Sequence, residues 1–215
     1  HAHLDMEAAR SARIDTLATR SAEEALELVA RALRDHPAGS RPATIQGFGH
    51  RLSNWPRVPT VAELDAVTRE IPTLLISGDV HSGWLNSAAL RVFGLPGASA
   101  QDPGAPMKED PWFALLDRLD EVPGTHELRE SGYRQVLADM LSRGITGVVD
   151  MSWSEDPDDW PRRLRAMAEQ GVLPQVLPRI RIGVYRDKLE RWIAKGLRTG
   201  TALAGSPRLP DGSPV

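Results

Sequence analysis

The stretch Gly144-Ile145-Thr146-Gly147-Val148-Val149-Asp150 decides the fold class. Before it, Tyr133, Val136, Leu137, Met140 and Leu141 recur at the three-and-four spacing of one helix face, and Gly144 stands where a helix ends in a left-handed residue. Ile145 to Val149 is then a short apolar run of the kind that forms a buried strand, with Asp150 at its carboxyl end. The same grammar returns downstream. A helix starting near Asp156-Pro157 runs to Gly171, Val172 to Ile182 reads as the next strand, and a helix from about Arg186 reaches Gly196. The three stop glycines are 27 and 25 residues apart, close to the roughly 30 residues per unit of an eight-unit barrel. Repeated strand-helix units imply a parallel sheet. A doubly wound open sheet has the same period, but neither G-x-G-x-x-G nor a P-loop occurs in the chain. The fold class is therefore α/β, part of a (β/α)8 TIM barrel with parallel strands alternating with helices. Residues 125 to 197 are predicted as helix, strand, helix, strand, helix, with the two strands parallel and adjacent.

Upstream the pattern is less regular. Ser21-Ala22-Glu23-Glu24 is a capping box, and Leu26, Val29, Ala30 and Leu33 predict an amphipathic helix over about 21 to 35, ended by Pro37 and Gly39. Thr60-Val61-Ala62-Glu63 repeats the cap, with Leu64 and Val67 inward, and Pro72 precedes a short strand, Thr73 to Ser77. A third element is expected over Trp84 to Phe93, ending at Gly94. Residues 95 to 111 hold Pro96, Gly97, Pro103, Gly104, Pro106 and Pro111 and read as a loop or insertion flap, the best internal boundary in a single partial-barrel domain over 1 to 215.

Bulk composition narrows the function. With 26 basic and 29 acidic residues the net charge is −3, which gives no basic excess to select nucleic acid or an anionic membrane. No apolar run approaches the roughly 18 residues of a membrane span. Cysteine is absent, which removes disulfides, thiolate ligands and a thiol nucleophile, and fits a cytoplasmic protein. Any zinc must take nitrogen and oxygen ligands. Arginine supplies 23 of the 26 basic residues, the codon signature of a GC-rich bacterial genome.

In barrels of this class the reacting groups follow the strands. His1 and His3 occupy such a place if a strand carries them: residues two apart in an extended segment point to one side, so both imidazoles can meet one ion. The plain alternative is an exposed terminus, where the free amine and His3 would make at most a tetragonal Cu(II) or Ni(II) site. His50, Asp79, His81 and Asp150 also follow apolar runs, and Asp150 reads equally as a cap for the next turn. Asp79, His81, Trp84 and Asn86 put a carboxylate, an imidazole, an indole and an amide within eight positions, a mixture suited to recognition, although Asn86 reads equally as a helix cap and Trp84 as core. Trp55, between Asn54 and Pro56, reads as the wall of a pocket. His36 and His126 sit at helix ends and are set aside.

Four stretches together carry a family likeness. His1-Ala2-His3-Leu4, Trp55 with Pro59-Thr60 and Glu63-Leu64-Asp65-Ala66-Val67, Asp79 to Leu90, and Gly144 to Met151 resemble the amidohydrolase superfamily, in its amidohydrolase-3 (YtcJ-like) group. Val80 departs from the pattern, which has glycine between Asp79 and His81. The resemblance implies the metal-dependent hydrolase barrel and hydrolysis of C–N bonds in small amide-type substrates by metal-activated water, with zinc the usual ion. It makes His1 and His3 metal ligands and puts Trp55, Asp79, His81, Trp84 and Asn86 on the substrate side. It assigns no catalytic base within residues 1 to 215, because the family's lysine, further histidines and aspartate come later. The chain is thus expected to be the front of a barrel, inactive alone and holding metal weakly, with open edges that favour a homo-oligomer. The competing class is a non-catalytic α/β module that acts through contacts.

Overall fold

The computed structural model describes residues 1–37, 40–99, 101–152, 156–172 and 176–203. Gly39, residues 173–175 of the expected second strand and Asp211–Val215 lie outside the described residues. The chain divides into two compact units, one formed by Arg13–Leu128 and the other by His1–Ala12 together with the residues from Arg129 on. The first is thus inserted into the second. The division falls at residues 12/13 and 128/129, and the 95–111 segment lies inside the inserted unit.

The discontinuous unit begins with helix α1 (Leu4–Ser11), which periodicity had not suggested. The inserted unit follows with a five-stranded sheet in the order β1 (Ile14–Asp15), β2 (Ile45–His50), β3 (Thr73–Ser77), β4 (Ser82–Leu85) and β5 (Met107–Lys108). The first three strands are parallel; β4 and β5 join antiparallel. Helix α2 (Ala22–Asp35) starts where the Ser21 hydroxyl accepts from the Glu24 amide, and α3 (Val61–Thr68) has both bonds of the Thr60–Glu63 capping box. Ala25, Val29, Leu64, Leu75 and Trp84 form the core that α2 and α3 share with the sheet. A second core holds Leu74, Ile76, Leu85, Leu90, Trp112 and Leu115, brought together by α4 (Ser87–Val92) and α5 (Glu109–Leu116). Gly83 is required there: a Cβ would lie 2.3 Å from the Trp112 ring.

Trp84 to Phe93 is therefore not one element but the end of β4 and a short helix, separated by Asn86. The 95–111 segment is also more structured than its prolines suggest. It contributes β5, and the carbonyls of Pro103 and Gly104 accept from the amides of Ala62 and Val61 at the start of α3.

The discontinuous unit continues in α6 (Thr125–Ser142), whose residues from Arg129 on belong to it, and then β6 (Gly147–Asp150), α7 (Asp159–Glu169), β7 (Arg179–Ile182) and α8 (Leu189–Ala194). Strands β6 and β7 are parallel and adjacent, with Val149 opposite Arg181 and Asp150 opposite Ile182. Gly144, Gly171 and Gly196 all have φ near +70°, at 73°, 68° and 75°, as helix-stopping glycines require. The helices cover one sheet face, where Leu4, Ala8, Val136, Leu137, Leu164 and Ile180 are buried with Ala2, Val148 and Ile182 against them. This is the helix-on-parallel-sheet layering of a partial barrel. No closed barrel is formed among the described residues, and no helix among them is long and apolar enough to cross a membrane.

Candidate metal centre and its surroundings

The His-x-His segment is held in the sheet. Ala2 bridges Asp150 in parallel, its amide donating to the Val149 carbonyl at 2.9 Å and its carbonyl accepting from Met151 N–H at 2.7 Å. Because Ala2 packs on the helix side, strand alternation turns His1 and His3 to the opposite face. Their rings are 5.9 Å apart, centroid to centroid, at 82°. The pair is not a loose end. His3 then leads into α1, where the Leu4 amide donates to Asp150 Oδ1 at 3.0 Å.

Asp150 is 2 % exposed and organises this junction. Its Oδ1 accepts from the Leu4 amide and from the amide and hydroxyl of Ser152, while Oδ2 accepts from the Trp160 indole at 2.7 Å. With its oxygens so engaged, Asp150 fixes the exit of the His-x-His segment.

His3 Nδ1 is buried without a hydrogen-bond partner. Such an orphaned nitrogen in a pair of neighbouring imidazoles has the chemistry of a metal-ligand site. The donor set fits the two-histidine part of a nitrogen-ligated centre. Among the described residues no group of three or more His, Asp or Glu side chains is placed to hold a metal ion.

The other sequence candidates belong to the inserted unit, so the rule that reacting groups follow barrel strands does not reach them. Trp55 is 6 % exposed, in the core and not on a loop wall: its indole donates to the Thr19 carbonyl and its ring lies 5.1 Å from His50, stacked at 29°. Trp84 is fully buried and donates to the Thr60 carbonyl at 2.7 Å, behind the capping box. Asn86 is fully buried as well. Its Oδ1 accepts from Ala89 and Thr73 amides, and its Nδ2 donates to Thr68 Oγ1 and the Ile71 carbonyl, so one amide caps α4 and ties it to β3 and α3. These three spend their polar atoms on the fold.

Asp79 and His81, by contrast, are exposed on the β3–β4 turn. Asp79 Oδ1 accepts from the Ser77 hydroxyl and the His81 amide, and the Ser77 bond chiefly holds its carboxyl below the usual range. His81 Nδ1 lies 3.1 Å from Glu109 Oε2. Between them Val80 has φ +67°, a left-handed conformation disfavoured for a β-branched residue, which explains physically why glycine suits this position. His50 closes β2. It is fully buried, neither ring nitrogen has a partner, and burial pushes its imidazole down to about 4.

Comparison with known proteins gives a concordant answer. The model described as "Amidohydrolase family" matches residues 1–211. The N-substituted formamide deformylase of Arthrobacter pascens is 28 % identical over 202 residues, covering 85 % of this chain and 36 % of that protein. The exoenzymes regulatory protein AepA of Pectobacterium carotovorum subsp. carotovorum is 41 % identical over 49 residues, 22 % of this chain and 10 % of its own. Among solved structures, an uncharacterized metal-dependent hydrolase from Pyrococcus furiosus superposes with a TM-score of 0.64 at 21 % identity, covering 92 % of this chain and 39 % of that one. One from Pyrococcus horikoshii OT3 gives 0.65 at 22 %, covering 92 % and 38 %. The chain thus spans little more than a third of the length of these proteins, apart from the short AepA match, and the two structures bear on the fold alone.

Proposed function

The chain belongs to the amidohydrolase family, and on that premise we propose that it supplies the first two metal ligands, His1 and His3, of a hydrolase acting on amide-type C–N bonds. The observation that carries this is the sheet-anchored histidine pair with the buried, unpartnered His3 Nδ1. A bound divalent ion would supply an acidified water and polarise the scissile carbonyl. The ion is read as zinc, which accepts nitrogen donors in a chain without thiolates. The chain's own residues hold the two imidazoles: Ala2 sets their register, and Asp150 pins the turn that follows. Asp79 and His81 remain the substrate-facing candidates of the inserted unit. The base and remaining ligands are not assigned to residues 1–215, so this segment alone is expected to be inactive and to bind metal weakly. Small amides are the substrate class, with N-substituted formamides the first to try, as the deformylase relative suggests. The cytoplasm is the expected compartment.

The test is hydrolysis of an amide panel, before and after chelation, by protein in which residues 1–215 are accompanied by the remaining ligands and base, in wild type, His1→Ala and His3→Ala. Activity should be lost on chelation, return with a divalent metal, and be absent from both variants. Chelator-resistant hydrolysis, or full activity in both variants, overturns the proposal. Tight stoichiometric zinc and amide hydrolysis by residues 1–215 alone would overturn the expectation of inactivity.

A further inference from the structure

The face that carries the histidines also carries two arginines. Across the β6–β7 ladder, Val148, Ile180 and Ile182 turn to the helices, so Gly147, Val149, Arg179 and Arg181 turn the other way. The register puts Gly147 opposite Arg179 and Val149 opposite Arg181. Ala2 is the partner of Asp150, which makes His1, Val149 and Arg181 one lateral row on the open face. Arg181 is therefore two strand spacings from His1, about 10 Å at the backbone, a separation that its long side chain can shorten. Gly147 leaves no side chain beside Arg179. A cavity of about 840 Å3 in this unit, walled largely by α1, α6 and residues 145–149 and so lying mostly to the helix side, reaches round to His1, Arg179 and Arg181.

The other arginines on its wall have carboxylates: Arg143 pairs with Asp139 at 3.0 Å and Arg10 approaches Glu7 at 3.9 Å. Among the described residues neither Arg179 nor Arg181 has an ionic partner. We propose that Arg181, with Arg179 beside it on β7, binds a carboxylate of the substrate, so that the enzyme acts on amides of amino or other carboxylic acids. A guanidinium offers two parallel N–H donors to a carboxylate, a directional contact that fixes the distance from the anion to the scissile carbonyl. Two donors at alternate positions of one strand accept a substrate lying along β7 with its amide towards the histidines. This specificity rests on the amide-hydrolase reading, but the anion contact does not need the metal.

Two measurements separate them. Calorimetric titration of metal-free protein with N-formylglycine should show binding that Arg181→Gln removes, Arg181→Lys partly restores and His3→Ala leaves in place. In metal-loaded protein that also carries the remaining ligands and base, the ratio of kcat/KM for N-formylglycine to that for the neutral N-methylformamide should fall about tenfold or more in Arg181→Gln. Anion binding without hydrolysis of either amide would sink the hydrolase reading and keep the arginine site. A ratio or binding curve unchanged in Arg181→Gln would overturn the arginine site, leaving these residues as charges that protect a strand edge.

Discussion

At the scale of single residues, groups with the look of chemistry serve mainly to hold the fold. Asn86 is the plainest case, because a residue between a tryptophan and a helix invites a recognition role, whereas its amide makes contacts on three elements. Asn86→Ala would leave buried donors and acceptors unpaired, so urea denaturation should show a loss of about 3 kcal/mol. Asp150→Ala should cost a similar amount, about 3 kcal/mol, and free the His-x-His segment, seen as faster amide exchange at Leu4 and Met151. His50 gives a pH signature. Its imidazole titrates near 4 when folded, against 6.5 in the unfolded chain, because burial disfavours the cation. Stability from this group is complete above the unfolded value. As pH falls the unfolded chain takes up a proton that the folded one refuses, and the loss continues until the folded value is passed. Between pH 7 and 5 this amounts to about 2 kcal/mol. His50→Phe keeps a ring against Trp55 and removes the proton, so its stability difference between those pH values should shrink by about that much. An undiminished difference would place the acid sensitivity elsewhere.

At the scale of elements, the strand-helix repeat after residue 125 was legible because each boundary has a local cause. Gly144, Gly171 and Gly196 occupy left-handed positions, and the apolar runs after the first two lead into paired strands. Capping boxes likewise marked α2 and α3. What sequence did not disclose depends on distant partners. Helix α1 is short, and it packs by a close approach: a Cβ on Gly132 of α6 would lie 1.9 Å from the Ala8 carbonyl oxygen. Propensity alone would make Gly132→Ala stabilising by about 1 kcal/mol. The contact predicts the opposite, a loss of roughly 2 kcal/mol or more from overpacking, measurable as a lowered Tm. The antiparallel β3–β4 hairpin was hidden for a similar reason, since Trp84 and Leu85 read as part of one element running to Phe93 until Asn86 is seen to cap α4.

At the scale of the whole molecule, the decisive feature is the insertion of Arg13–Leu128 between the histidine segment and β6. Contacts such as the Leu4 amide on Asp150 span 146 residues, and no local pattern reports a separation of that kind. The candidate site shows the same limit. The sequence offered His1 and His3 as a candidate ligand pair, but their anchor at Asp150, and the arginines on the same face, emerge only from register. The central claim is that this face is part of a metal-dependent hydrolase. The most direct measurement is hydrolysis of an N-substituted formamide by protein in which this chain is accompanied by the remaining ligands and base, followed through chelation and restoration of a divalent metal in wild type and His3→Ala. The account predicts activity that is lost and regained in the wild type and never regained in the variant; activity that survives chelation, or a His3→Ala protein that recovers with metal as the wild type does, would contradict it.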